Sequence, residues 1–130
     1  MSVLVGYVPT RYGTAALAAA VAEARLRSTS LVVVNASAGD ATADPNHLNS
    51  EQLAALTAQL AGSAVEHTVE FRSGRDPVDE IVALSADPGV ELVVIGLRHR
   101  NAVGKLIFGS NAQRILLEVE RPVLAVKPGP

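Results

Sequence analysis

The chain has 130 residues, no cysteine, and 11 Lys+Arg against 13 Asp+Glu, a formal charge of −2. That excludes thiol catalysis, cysteine-ligated zinc and a disulfide frame, and there is no basic excess of the kind nucleic-acid binders carry. With 48% apolar and 18% charged residues, the composition is that of a folded chain, and its length suits a single domain over residues 1–130.

The segment MSVLVGYVPTRYG has no basic start, and Gly6 and Pro9 interrupt its apolar run, so it does not read as a signal peptide. Within it, Val3-Leu4-Val5 is a short valine-rich run and predicts a buried strand. Gly6 to Thr14 has turn composition. From Thr14 to Arg27 an Ala-rich stretch carries Leu17, Val21 and Ala24 at helical spacing. Leu31-Val32-Val33-Val34 predicts a second buried strand, and Asn35 to Asn49, including Ser37 to Leu48, reads as a loop long enough to be either a lid or partly disordered. Asn49 with Gln52 three residues on resembles a capping box, followed by Leu53, Leu56 and Leu60 on one helical face.

Val65 to Phe71 alternates in part and is read as the third strand. Asp76-Pro77 starts a helix, since Asp caps and Pro is tolerated at the first helical position; Val78, Ile81 and Val82 form its apolar stripe. Leu92-Val93-Val94-Ile95 is the fourth strand, stopped by Gly96. Ala112, Ile115, Leu116 and Val119 then mark a last helix, and Pro122 opens a final strand, Val123 to Val126. No apolar run approaches the ~18 residues needed to cross a bilayer, so a soluble cytoplasmic protein without membrane contact is expected.

Strands of continuous apolar residues alternating with helices predict an α/β fold with an open parallel sheet covered on both faces. In such sheets ligands sit beyond the C-terminal strand ends. The loop after the first strand, Gly6 to Gly13, lacks the clustered acids of a phosphorylation receiver. Two Tyr, two Phe and no Trp leave little to sandwich a flavin. Neither a dinucleotide-binding glycine fingerprint nor an NTPase phosphate loop occurs.

The loop after the fourth strand is chemically the richest. Between Gly96 and Asn111 it holds Arg98, His99, Arg100 and Lys105, and it ends in Gly109-Ser110-Asn111, opening a helix. Free amides at a helix N-terminus and the helix dipole favour an anion. Gly109 permits close approach to the backbone, and Ser110 offers a hydroxyl; the plainer alternative is a simple helix cap with solvated cations.

Gly96-x2-His99-x9-Gly109-Ser110 resembles the Gly-x2-Gly-x9-Gly-Ser/Thr pattern of universal stress proteins. VLVGYVPT at the start, Gly74 leading into Asp76-Pro77, LVVIG at strand four and RPVLAVKP near the end are similar to segments of that family, so the resemblance spans the chain. It implies a stress-response binding or signalling module, with an adenine-nucleotide-α-hydrolase-like fold and an ATP or AMP site. Gly96, Arg98, His99, Gly109, Ser110 and Asn111 would hold phosphates, Pro9 and Thr10 would lie by the ribose, and the backbone at Asn35-Ala36 would meet the base. Two positions depart from the family pattern: His99 replaces the second motif glycine, and Val8 stands where nucleotide-binding members have an Asp that contacts the nucleoside. The alternative is a dimeric protein–protein scaffold with a vestigial cleft. The resemblance also implies a homodimer paired through the edge strand Val123–Val126, which would remove an exposed apolar edge.

His47, His67 and His99 fall on separate segments without ligand spacing, so no metal site is expected. Acids lie mainly on helices, and no acid, histidine and nucleophile come together at strand ends, so no catalytic residue is assigned and no enzyme activity is expected. Asp40 and Asp44 fall in the second ligand-side loop; Arg72 and Arg75 are read as surface charges. The expectation is one open five-stranded parallel sheet in the order 3-2-1-4-5, flanked by helices on both faces.

Overall fold

The valine-rich runs pair side by side in one parallel sheet. The computed structural model describes residues 1–37, 47–98 and 109–129. In chain order the elements are β1 (Ser2–Gly6), α1 (Arg11–Leu26), β2 (Ser30–Ser37), α2 (Ser50–Ala61), β3 (His67–Ser73), α3 (Pro77–Ser85), β4 (Val90–Gly96), α4 (Ser110–Glu118) and β5 (Val123–Val126). The strand order is β3-β2-β1-β4-β5, as expected. In the central register Val5 sits between Val33 of β2 and Val94 of β4.

Successive strand residues point to opposite faces, so each run feeds two cores. Val3, Val5, Leu31 and Val33 join Leu17, Leu56 and Leu60 on the α1/α2 face. Leu4, Val34, Val93 and Ile95 join Val78, Ile81 and Ile115 on the α3/α4 face. With both faces covered, neither needs polar residues, which is why the central strands are apolar through their middles, Val3–Val5, Leu31–Val34 and Leu92–Ile95.

α1 begins at Arg11, three residues before the expected Thr14, because Thr10 Oγ1 accepts the Gly13 N–H at 3.1 Å and caps the helix. Its buried positions Ala16, Leu17, Ala20, Val21 and Ala24 follow the helical period, and the alanines let its backbone lie close to the sheet. Gly13 abuts the backbone of Val8, where a β-carbon would overlap the carbonyl oxygen. α2 has the expected capping box: Asn49 Oδ1 accepts the Gln52 N–H at 2.8 Å, and Gln52 Oε1 accepts the Asn49 N–H at 3.0 Å.

The bounds of β2 and β3 also differ from the sequence reading. β2 continues through Asn35 to Ser37, because Asn35, Ala36 and Ser37 pair with Phe71, Arg72 and Ser73 of β3. β3 is accordingly shifted to His67–Ser73, with Val65 a buried residue leading into it. Of the Ser37–Leu48 loop, residues 38–46 lie outside the described residues; His47 stands with its ring 6.4 Å from that of Phe71, and Leu48 packs in the α1/α2 core.

Candidate functional site

The chain leaves β1 toward one side of the sheet and returns through β4 on the other, so a crevice opens at the C-terminal ends of these two neighbours. Glycines end both strands. A β-carbon on Gly96 would overlap the Tyr12 carbonyl, so glycine is what lets the start of α1 close over β4. Gly6 lies close to α3, though less tightly, with its β-position 3.1 Å from Ile81 Cδ1. Between these elements and α4 is a cavity of about 170 Å³.

One end of the cavity is cationic. It is lined by Gly96, Arg98, Gly109, Ser110 and Asn111. Gly109 is the N-cap of α4, supplies no side-chain cap, and its carbonyl takes the Gln113 N–H at 3.1 Å. The amides of Ser110, Asn111 and Ala112 precede the first residue that can bond within the helix, so they carry the positive end of the helix dipole. The Arg98 guanidinium lies over the same point: the β-position of Gly109 is 3.3 Å from Arg98 Nε. A cation held against a positive helix end is unfavourable unless an anion joins them. Arg27, Arg72, Arg75 and Arg114 each pair with carboxylates, whereas among the described residues no carboxylate pairs with Arg98.

The opposite end is apolar. Val34, Val78, Ile81 and Ile95 are all buried and line it, with Val8 and Ala36 beside them. Both tyrosines of the chain, Tyr7 and Tyr12, also lie on the cavity wall.

Of the residues singled out by sequence, Ala36, Gly96, Arg98, Gly109, Ser110 and Asn111 line this one cavity. Pro9 and Thr10 do not; the Thr10 hydroxyl is engaged as the α1 cap. Asn35 also lies off the wall, since strand alternation turns it to the α1/α2 face, where its Nδ2 donates to the Tyr7 carbonyl at 3.0 Å. His99 lies outside the described residues, as do Arg100, Lys105, Asp40 and Asp44. Sequence reading missed Pro77, Val78, Ile81 and Ile115 as wall residues. Their helical stripe was visible, but a stripe does not say which end of the sheet it covers.

The remaining candidates are used structurally. Arg72 pairs with Glu70 at 2.7 Å and Glu80 at 3.6 Å, and Arg75 with Glu80 at 3.3 Å. His67 Nδ1 is 2.8 Å from the Val65 carbonyl oxygen on the edge strand. Among the described residues, no group of three or more His, Asp or Glu is placed to hold a metal ion, and no helix is long and apolar enough to cross a membrane.

The model of the universal stress protein family matches residues 1–127. The chain belongs to this family. A universal stress protein of Mycolicibacterium smegmatis is 44% identical over 126 residues, covering 97% of each chain. Among solved structures, a universal stress protein from Archaeoglobus fulgidus superposes with a TM-score of 0.80 at 28% identity, covering 98% of both chains. A structure of the universal stress protein from the same organism in complex with dAMP superposes at 0.69, with 24% identity and 98% of both chains covered. The glycine pattern ending in Gly109-Ser110, which suggested the family, thus lies in a universal stress protein at the helix end that lines the cavity.

Proposed function

We propose that this universal stress protein is a non-enzymatic stress-response module that binds a phosphate-bearing ligand, with AMP and ATP the first candidates, at the crevice between β1 and β4. The observation that carries this reading is the Arg98 guanidinium laid over the uncapped N-terminus of α4 on one cavity wall. Free amides, a fixed cation and an exposed serine hydroxyl are the donors a phosphate group needs. The dAMP complex of a family member with the same fold supports the adenine-nucleotide reading. Gly109 lets the anion reach the backbone, while Ser110 and Asn111 add side-chain hydrogen bonds.

We further propose a cytoplasmic homodimer paired through β5, which among the described strands pairs with β4 alone and leaves its outer edge for a second copy.

Calorimetric titration with AMP and ATP tests the ligand reading. Millimolar or tighter binding is expected, with Arg98→Gln weaker by roughly tenfold, the value of one charge-assisted hydrogen bond. Gly109→Asp, which puts a carboxylate over the amides, abolishes it. No heat at millimolar ligand would sink the phosphate site and leave the scaffold alternative. Unchanged binding in Gly109→Asp would move the site elsewhere.

A further inference from the structure

Resting on the β5 pairing proposed above, we infer that the flank of α4 bearing Leu116 and Leu117 is an interaction surface for the same flank of a second copy of the chain. Leu117 is 85% exposed and Leu116 40%. Single exposed leucines are ordinary on a protein surface. These two are adjacent on one helix, beside an open strand edge.

The direction of that flank follows from what α4 already touches. Arg114 bonds Asp76 and Asp79 at the start of α3, so its side of α4 faces α3. Ile115 and Val119 are buried and pack with Val93 of β4 and with Val123 and Ala125 of β5, so α4 lies over the β4–β5 pair. Two residues along a helix turn the side chain by about 200°. Leu116, two residues after Arg114, therefore points away from α3, and Leu117, two after Ile115, points away from the sheet. Since α3 contacts β2 and β3, the direction away from α3 is toward the open edge of β5. The charged residues within α4, Arg114 and Glu118, bond each other on the α3 side. The outer flank presents two leucines and the neutral Gln113, where a solvated helix face carries charges.

A second copy fits this flank by symmetry. Two β5 edges pairing antiparallel are related by a twofold axis perpendicular to the sheet. Such an axis keeps the α3/α4 faces of both copies on one side of a continuous sheet and turns the outer flanks of the two α4 helices toward each other. With strands about 4.8 Å apart, a helix over the β4–β5 pair comes to about 10 Å from its copy, the spacing of packed helices. The β5 edge also needs a supplement. It has four residues, a length of roughly 13 Å, whereas a stable interface buries about 1,000 Å² or more. Backbone pairing over so short a strand falls below that, and the leucines of two α4 helices add apolar area.

The chain has no cysteine, so one introduced thiol per copy reports proximity without background. Leu116→Cys is treated with a short bis-maleimide, with Leu26→Cys as control; Leu26 is 81% exposed at the end of α1, on the other face of the sheet. A covalent dimer is expected from Leu116→Cys and not from Leu26→Cys. Leu116→Glu, which sets the carboxylates of two copies against each other, should raise the dimer dissociation constant by at least about tenfold in sedimentation, with helix content unchanged by circular dichroism. If that variant fails to fold, the cross-link decides alone. A dimeric wild type that Leu124→Lys makes monomeric, with no cross-link from Leu116→Cys and no effect of Leu116→Glu, would overturn the α4 surface and leave the β5 pairing standing. Equal cross-linking of the two cysteine variants would mean random collision and overturn it as well. A monomeric wild type would overturn the pairing and this surface together.

Discussion

Arg114 ties α4 to the cap of α3: its Nη1 donates to Asp76 Oδ2 at 3.0 Å, while the other oxygen of Asp76 accepts the Val78 N–H at 2.8 Å. The same guanidinium bonds Asp79 Oδ1 and Glu118 Oε2, each at 2.9 Å. One side chain thus links the two helix starts, Pro77-Val78 and Ser110-Asn111, that face each other across the cavity. The three carboxylates hold the Arg114 guanidinium more firmly protonated than usual, first through the hydrogen bonds it donates to Glu118 and Asp79.

Replacing Arg114 by Met keeps the aliphatic stem and removes all three bonds. Lys, a point donor on a flexible stem, restores at most part of the fork. Thermal melts by circular dichroism should rank wild type above Arg114→Lys above Arg114→Met. Titration with AMP should show weaker binding in the same order, because Ser110 and Asn111 lose their fixed position. Equal affinities in all three would confine Arg114 to the surface.

Asp76 carries the clearest acid sensitivity. The Val78 N–H, helped by the Asp79 N–H and by Arg114, holds its carboxyl below the ordinary value of 3.8. A carboxyl depressed in the folded chain stabilises it above the unfolded pKa, and that contribution disappears as pH falls through the folded value. Stability should therefore be flat from pH 7 to about 5 and decline below about 4. Asp76→Asn keeps a capping oxygen but no charge, so its melting temperature should drop less on going from pH 5 to pH 2. Parallel curves for the two proteins would contradict this.

Gly96 and Gly62 provide a steric contrast. The Gly96 β-position overlaps the Tyr12 carbonyl, whereas that of Gly62, at a helix end with φ −76°, meets nothing closer than 3.6 Å. Gly96→Ala should cost about 1–3 kcal/mol by overpacking. Gly62→Ala should be neutral or slightly stabilising, since it restricts only the unfolded chain. Urea unfolding of both variants decides it; a near-neutral Gly96→Ala would show that the α1 start can move off β4.

Asn49→Ala removes the side-chain half of the α2 capping box. The expected loss is about 0.5–2 kcal/mol in urea, with Asn49→Asp close to wild type. Loss in both would point to a role for Asn49 other than capping.

The β5 edge is tested by light scattering. Wild type should have the mass of a dimer, and Leu124→Lys, which adds a charge to the partly buried edge strand, should have that of a monomer. A monomeric wild type would end the dimer proposal.

The central strands and helices were legible because each follows from near neighbours in the chain. Valine-rich runs such as Leu31–Val34 can be buried only as strands covered on both faces, and Asn49 or Asp76 caps the residue two or three positions on whatever the rest of the chain does. Edges were less legible. β3 borders water, so burial constrains only part of its residues, and its start was misplaced at Val65. The end of β2 was set by pairing with β3, which no local signal at Asn35 announces.

The cationic half of the candidate site was likewise written locally, in Gly109-Ser110 opening a helix with Arg98 upstream. By itself the sequence determined the order of strands and helices, their caps, and the presence of an anion-ready helix start. Only the tertiary structure decided that Val34, Val78, Ile81 and Ile95 meet opposite that helix start, and that Asn35 turns away from it. The reason is distance along the chain: those four residues come from three elements, and no short-range rule specifies which apolar faces will confront one another until the crossovers have placed α3 and α4 on the same side of the sheet.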